Sequence, residues 1–383
     1  MPGSMRGEYM QKTSNDQFNS FINKVISTIP YRFGEAREFI SLSFGMMKYL
    51  TSAKISNLLI REYERLRRAH TPRGFPFHAL IDVVNTCNLE CPYCPTGRRQ
   101  NSGRSDRLID IECIHTFLNR FGKYLVAVDL FNWGEPLMHP RIVDIIRIFH
   151  EKCIFKQISS NLNIRNTNVL ESICDAGLDN LIISISGTTQ EIYQRYHRKG
   201  NLRLVLDNLK YIVNYKKQMK HNNPVIELKY LIFKHNSHQI ADARDLAKEI
   251  GVDIFRARYA GGAEEEIIQI NEEKKKLLYP DTGKSCCQLW RTVVLNSDGG
   301  IAPCCFLYFK EDDFADMSSI GNATPNQRYA EARMMFDKSA AGDLAPELQH
   351  PCLKCIFVHR QQHLKEYLAT NPHAKQGHRS GGP

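Results

Sequence analysis

The sequence predicts an α/β fold built on parallel strands. Three observations carry this. Between Phe77 and about Ala263, six apolar runs of strand length alternate with amphipathic helical segments. The spacing between successive strands leaves room for a crossover helix, as parallel pairing requires. Beyond Ala263 the rhythm stops, and a charged stretch leads into a segment of different composition.

The elements follow in order. The run HALIDVV from His78 is the first strand, and DIECIHTFLNRFG from Asp110 the first helix. YLVAVDLFN, FKQISSN, LIISIS, VIELKYLIF and DIFRARYA are the next five strands. Between them lie RIVDIIRIFHEK, VLESICDAG, RLVLDNLKYIVNYKKQ and HQIADARDLAKEIG, with apolar positions at helical spacing. Gly177 and Gly251 close two of these helices, where a residue free to take positive φ is favoured. Such alternation suits a doubly wound sheet or a barrel.

Residues 1–76 read as a helical extension, carrying FINKVISTI, EFISLSFGMMKYL and ISNLLIREYERLRRAH. It is expected to pack on the core as an extra layer. Its basic, amphipathic character also suits peripheral contact with a membrane surface. Residues 77–283 form the α/β core and 284–360 a cysteine-bearing domain, with a flexible tail at 361–383. Within the cysteine-bearing part, TVVLNSDGGIAPCCF carries a hairpin signal at Asp298-Gly299-Gly300.

Composition narrows the class. Of 383 residues, 42% are hydrophobic and 24% charged, as in ordinary globular chains. No apolar run approaches the roughly 20 residues of a membrane span, and Met1–Ser20 lacks the apolar core of a secretory signal. The net charge of +10 is scattered along the chain, which reads as solvated faces or an anionic small substrate and not as a nucleic-acid surface. Twelve cysteines are many, and most are clumped at 87/91/94, 286/287, 304/305 and 352/355. Close clumps read as metal ligands, and a reducing cytoplasm is the expected compartment. Cys113, Cys153 and Cys174 lie in or beside the periodic segments and are expected to be small buried hydrophobes.

The chemistry starts in the loop after the first strand. Cys87, Cys91 and Cys94 stand at C-x3-C-x2-C. Three thiolates on one short loop can hold three irons of a cubane and leave the fourth iron open. A zinc site would want a fourth local ligand, and the loop supplies none. After the second strand comes Asn132-Trp133-Gly134-Glu135-Pro136, a turn that brings a carboxylate forward.

This cysteine spacing after the first strand closely resembles the radical SAM superfamily. The resemblance implies a partial (β/α)6 TIM-like barrel over about residues 77–260. It also implies a [4Fe–4S] cluster on Cys87, Cys91 and Cys94, with S-adenosyl-L-methionine on the open iron and Tyr93 beside it. Gly134, Glu135 and Pro136 resemble the family's glycine–glutamate–proline motif, which binds the cofactor's amine; Trp133 stands where the family has its first glycine. Ser160 and Asn161 resemble a Thr-Asn pair after the third strand. Ser184 and Ser186 resemble a Ser-x-Asp-Gly segment near the cofactor ribose, with Ser186 in place of Asp. Arg198 lies in Tyr196-His197-Arg198-Lys199-Gly200, similar to a stretch whose arginine reaches the cofactor carboxylate.

The later cysteines resemble a twitch domain, a shortened SPASM domain with a β-hairpin and helix. There the resemblance implies a second, auxiliary [4Fe–4S] cluster on Cys286, Cys304, Cys352 and Cys355. Cys287 or Cys305 is the alternative within each doublet, and a four-cysteine zinc ribbon is the alternative site. Twitch dehydrogenases, such as the inosamine dehydrogenase of aminoglycoside biosynthesis, imply a radical SAM oxidoreductase. It would cleave the cofactor to a 5′-deoxyadenosyl radical and oxidise a carbohydrate-like or small polyol substrate. A flavodoxin or ferredoxin would donate electrons, and the auxiliary cluster would accept one. A peptide- or protein-modifying maturase is the competing reading, and a non-catalytic iron–sulfur carrier a third. No general base is assigned: Asp82, Asp129 and Arg258 lie on predicted strands without a defined direction.

Overall fold

The computed structural model describes residues 45–260, 286–318, 327–335 and 350–354. Strands β1 (His78–Ile81), β2 (Ala127–Asp129), β3 (Phe155–Ser160), β4 (Asn180–Ile185), β5 (Val225–Ile232) and β6 (Ile254–Tyr259) follow one another as expected. Helices α1 (Ser52–Leu66), α2 (Ile111–Phe121), α3 (Ile142–Glu151), α4 (Asn168–Asp175), α5 (Gln190–Tyr196), α6 (Leu202–Gln218) and α7 (Ile240–Ile250) precede and separate them. The Gln190–Tyr196 helix was not anticipated. Side-chain caps start several helices: Thr51 accepts from Lys54 N, Asp110 from Glu112 N and Asn201 from Leu204 N. Gly177 and Gly251 both take φ +82°, the left-handed turn their sequence position implied.

All six strands pair in parallel, forming a partial barrel of the α/β class. Three further strands complete a nine-stranded sheet in the order β6-β5-β4-β3-β2-β1-β7-β8-β9. They are β7 (Thr292–Leu295), β8 (Gly300–Ala302) and β9 (Ala315–Asp316). The hairpin expected at Asp298-Gly299-Gly300 joins β7 to β8 in antiparallel register. Its position was not expected. β7 lies parallel to β1, with His78 opposite Thr292 and Ile81 opposite Leu295. The cysteine-bearing segment therefore continues the barrel sheet instead of standing apart from it. Helix α8 (Gln327–Met334) follows.

The main core lies between the sheet and its helices, around Ile114, Phe117, Phe149, Ile158, Leu181, Leu228 and Trp290. A second apolar cluster closes the N-terminal end of the strands. Ala127, Phe155 and Ile254 begin β2, β3 and β6, and Met46, Tyr49, Leu58 and Phe77 pack on them. The described part of the N-terminal extension thus plugs the end of the barrel away from the cysteine loop. The segments FINKVISTI, most of EFISLSFGMMKYL, the charged stretch after Ala263, Cys355 and the tail lie outside the described residues.

Asp179 anchors this plug. Its carboxylate accepts from Tyr49 Oη at 2.8 Å, Lys156 Nζ at 2.6 Å and Lys156 N at 3.1 Å, with Lys48 Nζ at 3.0 Å. Lys156 is fully buried. Replacing Asp179 by alanine leaves that ammonium without its anion, so Asp179→Ala should destabilise the protein by about 3–5 kcal/mol. Urea unfolding followed by circular dichroism measures it.

Two cysteines correct the sequence reading. Cys174 is buried, but Cys153 is exposed and Cys113 half-buried. Cys153 sits at φ +52° in the tight turn after α3, which turns its side chain outward.

Candidate active site

The three cysteines Cys87, Cys91 and Cys94 lie in one loop beyond the C-terminal end of β1, all half-buried. The loop folds on itself. Cys94 N donates to Cys91 O at 3.2 Å and Arg98 N to Cys94 O at 2.9 Å. Gly97 packs so closely that a Cβ there would lie 2.6 Å from Cys91 N and O. Two donors face Cys87 Sγ: Leu89 N at 3.4 Å and Asn161 Nδ2 at 3.6 Å. Burial pushes the Cys87 thiol up to about 11, with Glu135 and Cys94 adding to the rise. Burial pushes Cys91 higher, with Cys87 and Cys94 contributing. Cys87 and Cys91, whose thiols are held up in this way, need a cation to become ligands. A multi-iron cluster distributes its charge over separate thiolates and fits this set. Among the described residues, no three His, Cys, Asp or Glu side chains converge as on a single ion.

The next strand end supplies a carboxylate. Asp82, at the end of β1, is buried, and its Oδ1 accepts from Trp133 N at 3.0 Å and Gly134 N at 3.4 Å. This clamp holds the turn after β2. Glu135 N donates to Thr86 O at 2.9 Å, tying the same turn to the cysteine loop. Pro136 opens a short 3-10 turn, and the Glu135 carboxylate caps it by accepting from Leu137 N. Ser160 Oγ donates to Glu135 Oε1 at 2.7 Å, and Asn161 N to Oε2 at 2.8 Å. Burial raises Glu135 to about 7 despite these bonds. No ion pair reaches it among the described residues. A buried carboxylate with hydrogen bonds but no counter-ion fits an incoming ammonium group.

The other predicted residues are distributed around this centre. Tyr93 lies 6.1 Å from both the Tyr196 and Phe233 rings, forming an aromatic wall beside the cysteines. Arg198 is exposed, and its carbonyl accepts from Glu90 N within the cysteine loop. Ser184 is half-buried near the end of β4. Ser186 does not join the group. It is fully buried, donates to Tyr193 O and shares a 2.7 Å hydrogen bond with His197 Nδ1. Burial holds His197 down at about 3, so this imidazole is neutral.

The later cysteines gather separately. Cys304 is half-buried, and its thiol is pushed up by desolvation and then by Cys305, Cys286 and Cys352. Cys287 instead begins a helical turn, Gln288–Arg291, where its carbonyl accepts from Trp290 N and Arg291 N. Tyr308, just beyond Cys304 and Cys305, packs edge-on against Trp133 with centroids 5.2 Å apart. Its hydroxyl donates to Gln100 O at 2.9 Å. Arg104 pairs with Asp298 at 3.0 Å and Asp313 at 2.7 Å. The hairpin is thereby latched to the cysteine loop.

A model of the radical SAM superfamily matches residues 81–227. The match takes in the cysteine loop, Glu135 and strands β2 to β4. Among curated proteins, a GTP 3′,8-cyclase of Limosilactobacillus fermentum is 24% identical over 286 residues, covering 65% of this chain and 83% of that protein. A probable GTP 3′,8-cyclase of Methanocaldococcus jannaschii is 26% identical over 172 residues, 45% of this chain and 55% of the relative. The Streptococcus suis SuiB structure, bound to precursor peptide SuiA, has a TM-score of 0.51 at 14% identity, covering 70% of this chain and 69% of that one. That likeness is one of fold. No helix among the described residues is long and apolar enough to cross a membrane.

Sequence reasoning missed three parts of this candidate site. Asp82 looked like an undirected strand residue, although a carboxylate ending the strand before the cysteine loop was a usable signal. Trp133 was seen only as a departure from glycine, because its partner Tyr308 lies 175 positions away. Arg104 carried no local signal at all.

Proposed function

We propose that this radical SAM enzyme oxidises a hydroxyl-bearing small molecule of carbohydrate or polyol type, with a second cluster as electron acceptor. The observation that carries this reading is that Cys305, Cys286 and Cys352 all lie within electrostatic reach of Cys304, beside strands continuous with the parallel sheet. Cys355 would be the fourth ligand, and Cys286 faces this set where Cys287 caps a turn. Residues 77–283 would form the core and 284–360 the twitch-type part.

In this reading Cys87, Cys91 and Cys94 hold the first [4Fe–4S] cluster. When bound there, the cluster and S-adenosylmethionine would supply radical chemistry able to remove a hydrogen atom from a substrate carbon. The chain's own residues bind and orient. Glu135, fixed by Gly134, Pro136, Ser160 and Asn161, receives the cofactor's ammonium group. Tyr93 walls the loop, Ser184 and Arg198 flank the mouth, and Ser186 supports the backbone through His197. Loss of the hydroxyl proton and one electron from the substrate radical then gives a ketone. Cys286, Cys304, Cys352 and Cys355 would hold the second cluster, which would supply the acceptor for that electron.

One consequence is measurable without a substrate. Glu135 is raised to about 7, so it is partly protonated near neutrality in the free protein. An ammonium partner favours the carboxylate, so binding should release protons, and affinity should rise as pH rises through about 7. Calorimetry of S-adenosylmethionine binding at pH 6.5, in buffers of different ionisation enthalpy, should show proton release in the parent and none in Glu135→Gln.

The activity test is anaerobic. Reconstituted protein, reductant and S-adenosylmethionine are incubated with carbon-deuterated polyols and sugars. Deuterium in 5′-deoxyadenosine, with a product two hydrogens lighter, supports the proposal. Deuterium arriving only from a labelled peptide would sink it in favour of a maturase, and no 5′-deoxyadenosine at all would favour a carrier.

A further inference from the structure

Helix α1 is turned unusually. It buries Lys54, Asn57, Arg61, Glu62 and Glu64 while Leu59, Ile60, Tyr63 and Leu66 are exposed. The buried charges do not cancel. Glu62 is taken by Arg291, through Nε at 2.5 Å and a terminal nitrogen at 2.6 Å, and by Arg65 at 2.9 Å. Glu64 accepts the backbone N–H groups of Arg73 and Gly74. Arg61 is 2% exposed, and its nearest carboxylate oxygen, on Glu64, is 3.9 Å away. Its Nε and one terminal nitrogen have no hydrogen-bond partner. Arg333 on α8 is also buried and gives its N–H groups to the carbonyls of Leu289 and His70, which are neutral. Among the described residues, three buried guanidinium groups, with half-buried Arg65 at their edge, thus meet two buried carboxylates, leaving a net positive charge.

Such an excess is costly unless an anion lies near. The geometry indicates where. The Arg333 guanidinium lies 5.2 Å from the Tyr329 ring and 5.9 Å from that of Trp290. Tyr329 lies within electrostatic reach of both arginines and of Cys304 and Cys352. Phe314 packs edge-on against Tyr329 at 4.8 Å and against His350 at 4.9 Å, and His350 Nδ1 accepts from Cys352 N. Tyr329 therefore has the two arginines, which lack a close carboxylate among the described residues, and Cys304 and Cys352 as common neighbours. Four thiolates around an oxidised cubane core form a dianion, and reduction makes it a trianion. Its sign is opposite to that of the excess.

We infer that Arg61 and Arg333 supply the counter-charge of a cluster held at Cys304 and its neighbours Cys286 and Cys352 and raise its reduction potential. This rests on the auxiliary-cluster reading above. Two fixed cations stabilise the reduced cluster more than the oxidised one, which suits an electron acceptor. Arg61 comes from the N-terminal extension, so that segment takes part in redox tuning as well as in closing the barrel.

The test is a redox titration of the reconstituted full chain followed by electron paramagnetic resonance. S-adenosylmethionine distinguishes the first cluster, whose signal it perturbs. In Arg61→Met and Arg333→Met, the auxiliary potential should move to more negative values while that of the first cluster stays put. Arg61→Lys and Arg333→Lys, which keep the charge, should stay near the parent. An unshifted auxiliary potential in methionine variants with full iron content would overturn the inference. Should those variants fail to hold the cluster, Arg333→Gln decides, because it keeps a donor for Leu289 O without the charge; an unshifted potential there overturns it too. Zinc, or iron for one cluster only, in the parent protein would instead refute the auxiliary-cluster reading.

Discussion

Cys91→Ala protein, reconstituted with iron and sulfide, will form no 5′-deoxyadenosine above background. The expected loss is on the order of a thousandfold or more, well beyond the roughly 10- to 100-fold typical when a partner outside the ligand shell is removed. The reason is the number of ligands. Three half-buried thiols share one loop, and with Cys91 gone only Cys87 and Cys94 remain to hold the proposed cubane. The loop itself should survive. Its closing contacts are backbone ones, from Cys94 N to Cys91 O and from Arg98 N to Cys94 O, and Gly97 packs against the Cys91 backbone. Lost activity with retained fold is therefore the expected pair of results. Iron content should fall from about eight to about four atoms per chain, as one cubane of two is lost. Unchanged iron and undiminished 5′-deoxyadenosine would refute the assignment of this loop.

Gly134→Ala should be the most damaging single methyl group near the site. A Cβ at Gly134 would lie 1.7 Å from Val84 O and 2.6 Å from Val84 C, a clash with backbone that no rotamer can relieve. Neither side is free to move. Gly134 N is clamped by Asp82, and Glu135 N by Thr86 O. Separating the two strand ends would break those bonds and displace Glu135 from Ser160 and Asn161. Overpacking typically costs about 1–3 kcal/mol, and a collision with backbone on both sides belongs at or above the top of that range. S-adenosylmethionine affinity should fall by about 10- to 100-fold, because misplacement of about 1 Å is enough to cost that much. Urea unfolding and equilibrium binding measure the two effects. Gly45→Ala is the control: its nearest contact would be an ordinary 3.6 Å to Phe155. Equal stability of Gly134→Ala and Gly45→Ala would show that the turn is not held as described.

The proposed cofactor site was legible because its signals are local. Cys87, Cys91 and Cys94 span eight positions, and Glu135 follows a strand in a recognisable turn. The strand and helix order was legible for the same reason, since hydrophobic period and capping residues act over a few neighbours. Ser186 shows the limit. Its place in the chain suggested a ribose contact, but whether a hydroxyl faces the mouth or a buried histidine depends on how α5 packs. The Gln190–Tyr196 helix was itself overlooked, because seven residues give little periodicity to read.

The sequence by itself determined the α/β rhythm, the cysteine loop and the hairpin. Each is specified by residues close enough in the chain to constrain one another directly. Only the tertiary structure decided that β7 pairs with β1, that Tyr308 meets Trp133, and that Arg61 comes within electrostatic reach of Tyr329. Those contacts join segments about 175 to 270 positions apart, where chain entropy leaves the choice of partner open until packing and charge compensation select one.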